Sequence, residues 1–203
     1  MHPSSTASAL VDVVRRCHAR GWTPGTGGNF SVVAGERLLM TPSGIDKGRV
    51  TAEDLLELER DGRVVGGTGK PSAETALHLQ LLRSCGAGAV CHVHSVWNTI
   101  VSLRHFRTGA LVISGLEMLK GLAGVTTHEH RERVPVVPNS QDMTALAAVF
   151  ARTVEANPRC HGILVAGHGL YTWGDTLAEA ERHVEVLEFL FEVVGRQPQE
   201  TTP

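Results

Sequence analysis

The segment Ala89–His94, AVCHVH, constrains the fold more than any other stretch of the chain. It is short, apolar and bounded by Gly88 and Ser95, which predicts a buried strand. Side chains on a strand alternate between its faces, so His92 and His94 point the same way. Cys91 faces the opposite side and is expected as a buried free thiol. Ser95 suits the N-cap of a helix that follows.

The surrounding pattern tells what must cover such a strand. Leu10, Val13, Val14 and Cys17 recur at helical spacing until Gly21 stops the run. A glycine-rich loop, TPGTGGNFS, leads to a strand at Arg37–Met40 and a turn at Pro42-Ser43-Gly44. Leu56 and Leu58, then Val64 and Val65 across Asp61-Gly62, predict a hairpin. Helices are expected at Ser72–Arg83, Leu116–Leu122, Asp142–Ala156 and Leu177–Val194, with strands at Ala110–Ile113, Val134–Val137 and Gly162–Ala166. Helices interleave with strands while two strands join by a hairpin, so the expected fold class is α/β (α+β), with helices flanking a mixed or antiparallel sheet. No repeat or linker divides the 203 residues, which suit one domain, 1–203, with short flexible termini at about 1–7 and 196–203.

Composition removes whole classes of function. With 19 basic and 21 acidic residues the formal charge is −2, which lacks the footprint of a nucleic-acid binder and gives no polybasic membrane patch. No apolar run approaches the roughly 20 residues that span a bilayer. The N-terminus lacks the order of a signal peptide, and the four scattered cysteines suit free thiols in a reducing cytoplasm. A cytoplasmic enzyme on a small molecule is the remaining expectation. The 11 histidines are many for this length.

Three of them form a pattern that metals use. Imidazoles at i and i+2 on a strand sit about 6–7 Å apart at the backbone and converge beyond it. His168, between Gly167 and Gly169, follows the apolar run GILVA and places a third imidazole on a tight turn at a strand end. Three neutral imidazoles with an open position characterise a catalytic zinc rather than a structural one. Glu74, in Pro71-Ser72-Ala73-Glu74, and Glu117, in GLEMLKG, are the candidate acid/base groups, although each also suits the first turn of a helix. Asn29, Ser43, Gly44 and Ser72 lie on loops or a helix start whose N–H groups and small polar side chains suit a phosphate. His78 reads as a core or surface histidine, His128 and His130 as loop residues, and Tyr171 as packing.

The order GTGGNFS, TPSGIDK, PSAET, CHVHS and AGHGLYTWG resembles the class II aldolase/adducin family over nearly the whole chain. The resemblance implies a central, mainly antiparallel sheet flanked by helices, and a homotetramer with active sites near subunit contacts. It also implies zinc, one ion per subunit, on His92, His94 and His168, and a phosphate pocket drawn from Asn29, Ser43, Gly44 and Ser72. Within the family, GLEMLKG, THEH and VPVVPNSQD are similar to the dehydratases of methionine salvage. These convert 5-methylthioribulose 1-phosphate to 2,3-diketo-5-methylthiopentyl 1-phosphate, and their glutamate at the position of Glu117 is the expected acid/base. An aldolase uses a glutamate at the position of Glu74, so which of the two moves the proton stays open. Ser72-Ala73-Glu74 lacks the second hydroxyl that aldolases commonly show. The alternatives are an aldolase or epimerase of the fuculose or ribulose phosphate type, and a non-catalytic adducin-like module. Aldolases of the family often employ a C-terminal tyrosine, whereas the tail RQPQETTP has none.

Overall fold

The computed structural model describes residues 3–198. Its helices are α1 (Pro3–Ala19), α2 (Thr75–Cys85), α3 (Val96–His105), α4 (Met143–Ala156) and α5 (Leu177–Arg196). Its strands are β1 (Asn29–Ala34), β2 (Arg37–Met40), β3 (Leu56–Leu58), β4 (Val64–Gly66), β5 (Ala89–Val93), β6 (Ala110–Ile113), β7 (Glu132–Val137), β8 (Gly162–Val165) and β9 (Gly169–Gly174). They form a sheet ordered β4-β3-β2-β1-β5-β9-β8-β7-β6. Neighbours run antiparallel except β7 and β8, which run parallel. The expected α/β class and mainly antiparallel sheet are thus observed.

Strand alternation builds a core on each face. Ala89, Cys91 and Val93 of β5 pack with α1, α3 and α5, through residues such as Val14, Val101, Val184 and Leu187. Val90, on the other face, joins Leu77 and Leu81 of α2 and Phe150 of α4. The buried stripe of α5 is the periodic one, Ala180, Val184, Leu187 and Phe191. Helix starts follow their caps: Ser95 Oγ accepts from Asn98 N at 2.9 Å, and Asp142 Oδ1 accepts from Ala145 N at 2.9 Å. No helix among the described residues is long and apolar enough to cross a membrane.

Three expectations need correction. TPGTGGNFS runs directly into β1, whose polar Asn29 and Ser31 alternate with Phe30 and Val32 at the end of a glycine-rich run, and this strand lies between β2 and β5. The segment from Gly169 to Gly174 is a central strand, β9. The helix expected at Leu116–Leu122 is a 3-10 turn, Glu117–Gly121, set between Gly115 and Gly124, whose positive φ values break helical geometry on both sides. At the N-terminus, α1 begins at Pro3, inside the stretch 1–7 expected as a short terminus. Residues 1–2 and 199–203, where the rest of the expected flexible termini falls, lie outside the described residues.

Register sets up the functional side chains. Asn29 of β1 pairs with His92 of β5, and His92 pairs with Tyr171 of β9. One row across the middle of the sheet therefore carries all three.

Candidate metal centre and cleft

His92 stands on the α2 face of β5, fully buried, and its ring lies against Tyr171 at 3.8 Å between centroids and 11° between planes. That stack and the contact of His92 Nδ1 with Leu170 O at 3.0 Å fix the ring. A carbonyl only accepts, so Nδ1 carries the proton and Nε2 presents a bare lone pair. His94 Nε2 faces that same atom at 2.7 Å. His168 completes the set from the turn between β8 and β9, with its ring centroid 5.0 Å from that of His92 and 4.8 Å from that of His94. One ring nitrogen from each of the three lies within 4.8 Å of the others, the arrangement that can hold a metal ion. Burial pushes His92 well below the usual imidazole range and His94 down to about 4. Neutral rings facing one another suit a cation and poorly suit any packing role. Buried His168 Nδ1 has no hydrogen-bond partner among the described residues.

The glycines around His168 have a steric cause. A Cβ on Gly169 would sit 2.5 Å from Val93 O and 2.8 Å from His92 Cε1. Gly28 has φ +73°, and a Cβ there would meet His92 O at 2.7 Å. The GHG and GGN signatures therefore report close approach of backbone to the imidazole cluster.

A cleft of about 290 Å³ opens over the cluster, lined by Thr26, Gly27, Gly28, Asn29, Pro42, Ser43, Gly44, Lys47, Ser72, Glu74, His94 and His168. The four residues expected to hold phosphate thus lie together, with Glu74 among them. Glu74 Oε1 is 2.9 Å from His168 Nε2 and 3.5 Å from His92 Nε2, and its Oε2 accepts from Asn29 Nδ2 at 2.5 Å. Burial works to raise the Glu74 carboxyl, but the two imidazoles and the Asn29 amide outweigh it and hold it below the usual range.

Glu117 is not in this cleft. It starts the 3-10 turn, is 70% exposed, pairs with Lys120, and has His128 Nδ1 at 3.9 Å. Lys120 holds its carboxyl below the usual range. His130 turns instead to buried Glu132, which it meets at 2.9 Å, and His161 meets the same carboxylate at 3.0 Å.

One residue of the cleft and one behind it were given no role from the sequence. Lys47 is buried, and its Nζ donates to Thr26 O at 2.9 Å and Ile45 O at 3.1 Å, tying the two loops that form the rim. His78 is buried behind Asn29, with Nε2 2.5 Å from Asn29 Oδ1. The i, i+4 spacing to Glu74 was visible, but only β1 brings Asn29 between them.

Sheet, imidazole set and polar cleft together define a helix-flanked α/β domain with a candidate mononuclear metal centre. The chain belongs to the class II aldolase and adducin N-terminal domain family, whose model matches residues 8–194. A methylthioribulose-1-phosphate dehydratase of Sorangium cellulosum is 45% identical over 192 residues, covering 93% of this chain and 91% of that protein. The enzyme of the same name from Methylococcus capsulatus is 43% identical over 192 residues, covering 94% and 93%. Among solved structures, Escherichia coli YgbL superposes with a TM-score of 0.83 at 25% identity, covering 99% of this chain and 93% of that one. An L-fuculose-1-phosphate aldolase of Thermus thermophilus gives 0.76 at 27% identity, covering 95% and 94%.

Proposed function

We propose that the protein is a hydro-lyase that dehydrates 5-methylthioribulose 1-phosphate to 2,3-diketo-5-methylthiopentyl 1-phosphate, the methionine salvage reaction, in the cytoplasm. The observation that carries this is the cleft that joins a phosphate-suited rim to a carboxylate and three imidazoles, in a chain more than 40% identical to enzymes of that name. His92, His94 and His168 are the proposed ligands of one zinc ion per subunit. When bound, the metal supplies Lewis acidity that polarises the substrate's C2 carbonyl and acidifies the C3 proton. Asn29, Ser43, Gly44 and Ser72 hold the phosphate, with the Lys47 ammonium adding positive charge to the rim. The Glu74 carboxylate, fixed by Asn29, stands ready to exchange a proton at the imidazole end of the cleft. Loss of the C4 hydroxyl, assisted by a proton donor, leaves an enol that relaxes to the diketone.

Glu117 belongs to the same proposal as the second acid/base group, supplied in trans. It lies outside the cleft of its own chain, so a second copy in the proposed homotetramer delivers it. Exposed apolar side chains support such contacts: Met118 beside Glu117, and Val96, Leu103 and Phe106 along and beyond α3.

Aldol cleavage is the second reading, favoured by the likeness to the fuculose-phosphate enzyme. The one tyrosine of the chain, Tyr171, is buried against His92 rather than open to the cleft, which supports dehydration. The test is turnover of 5-methylthioribulose 1-phosphate beside L-fuculose 1-phosphate by zinc-loaded protein and by Glu117→Gln. We expect activity on the first sugar only, and its loss in the variant. Intact turnover in Glu117→Gln would remove that residue from the mechanism.

A further inference from the structure

A buried file of hydrogen bonds reaches the cleft from behind. Ser31 Oγ on β1 lies 2.8 Å from His78 Nδ1 on α2. His78 Nε2 lies 2.5 Å from Asn29 Oδ1, and Asn29 Nδ2 donates to Glu74 Oε2 at 2.5 Å and to Ser72 Oγ at 3.3 Å. Ser31 and His78 are fully buried and Asn29 is nearly so.

The carboxylate at the end of the file fixes every proton in it. An ionised Glu74 can only accept, so Asn29 must turn its NH₂ toward Glu74 and its carbonyl toward His78. That carbonyl requires a proton on His78 Nε2, which leaves Nδ1 bare to accept from the Ser31 hydroxyl. Burial lowers His78 to about 4, so the ring stays neutral around pH 7 and a single tautomer satisfies the file.

We propose that His78 is a positioning residue that locks the Asn29 amide with its NH₂ toward the cleft. Turned the other way, the amide would aim its oxygen at the Glu74 carboxylate and at the phosphate it is proposed to hold, both anionic. His78 donates to the far side of that amide and is not itself among the residues that line the cleft. The inference rests on the reading that Asn29 and Glu74 act on substrate.

Three substitutions isolate the hydrogen bond from the volume. The amide nitrogen of a glutamine at 78 reaches about where Nε2 is, whereas that of an asparagine reaches only the Ser31 side; leucine fills the space with no donor. His78→Asn and His78→Leu should lose about 10–100-fold in kcat/KM, with kcat lowered and KM for the sugar phosphate raised together. His78→Gln should stay near wild type. Bound zinc per chain and melting temperature, measured beside turnover, should match wild type in the glutamine and asparagine variants. Equal activity of those two variants, or a loss that follows zinc content or melting temperature, would overturn the proposal, and this pair decides even if the leucine variant does not fold. Glu74→Gln separates the two levels. Intact turnover there removes the reading beneath and the inference with it, while lost turnover beside equal glutamine and asparagine variants removes the inference alone.

Discussion

At the scale of single residues, the imidazole cluster is held by close packing that tolerates no added atoms. Gly169→Ala places a methyl against Val93 O and His92 Cε1, at 2.5 and 2.8 Å before any movement. Because the first contact is backbone, relief has to come from β5 or β9, and the ligands move with them. We expect Gly169→Ala to bind zinc at least about tenfold more weakly and to lower stability by about 1–3 kcal/mol, read by competition with a chelator and by urea unfolding. Wild-type zinc affinity in that variant would show that the glycine is not there for the ligands. The His-x-His and Gly-His-Gly patterns were legible because they are local: strand alternation aims His92 and His94 together, and glycines mark a crowded turn. Lys47 and His78 were not legible, because a lysine in a loop and a histidine in a helix acquire meaning only from what the sheet carries beside them.

At the scale of elements, α3 and α5 are joined by a buried carboxyl directly after the HVH strand. Ser95 Oγ donates to Glu188 Oε2 at 2.5 Å and Asn98 Nδ2 donates to Oε1 at 2.9 Å. Burial outweighs these donors and pushes Glu188 up to about 7. The folded state therefore keeps a proton that the unfolded chain releases near the ordinary glutamate range, so stability falls as pH rises from about 4.3 through about 7. Glu188→Gln should be more stable than wild type at pH 8, by on the order of 2 kcal/mol, and nearly equal at pH 5. Urea midpoints at the two pH values check this, and the same pH dependence in both proteins would contradict it. The elements themselves were read best where one period dominates, as in α4, α5, β2 and β6. Strand β1 escaped because polar Asn29 and Ser31 follow directly on a glycine-rich loop, and β9 because glycines bound it at both ends, compositions that read as loop. The requirements of the site thus hid the two strands that frame it.

At the scale of the whole molecule, the proposed site is incomplete in one chain. Glu117 projects from the surface while the imidazoles and Glu74 line the cleft, a separation that the sequence could not foretell because spacing along the chain says nothing about copies. If Glu117 acts in trans, chains carrying His168→Ala and chains carrying Glu117→Gln should each be inactive alone. Assembled together, they should regain about a quarter of wild-type turnover, the statistical share of sites with both parts intact. No recovery in verified mixed oligomers would place the second acid/base group elsewhere. The fold is shared with aldolases, so only the product distinguishes the chemistry carried out on it. The most direct measurement is the mass spectrum of the product formed from 5-methylthioribulose 1-phosphate by the zinc-loaded protein. Loss of one water with the carbon chain intact, abolished in His168→Ala, is the predicted result. A three-carbon phosphate from cleavage between C3 and C4, or no turnover at all, would contradict it.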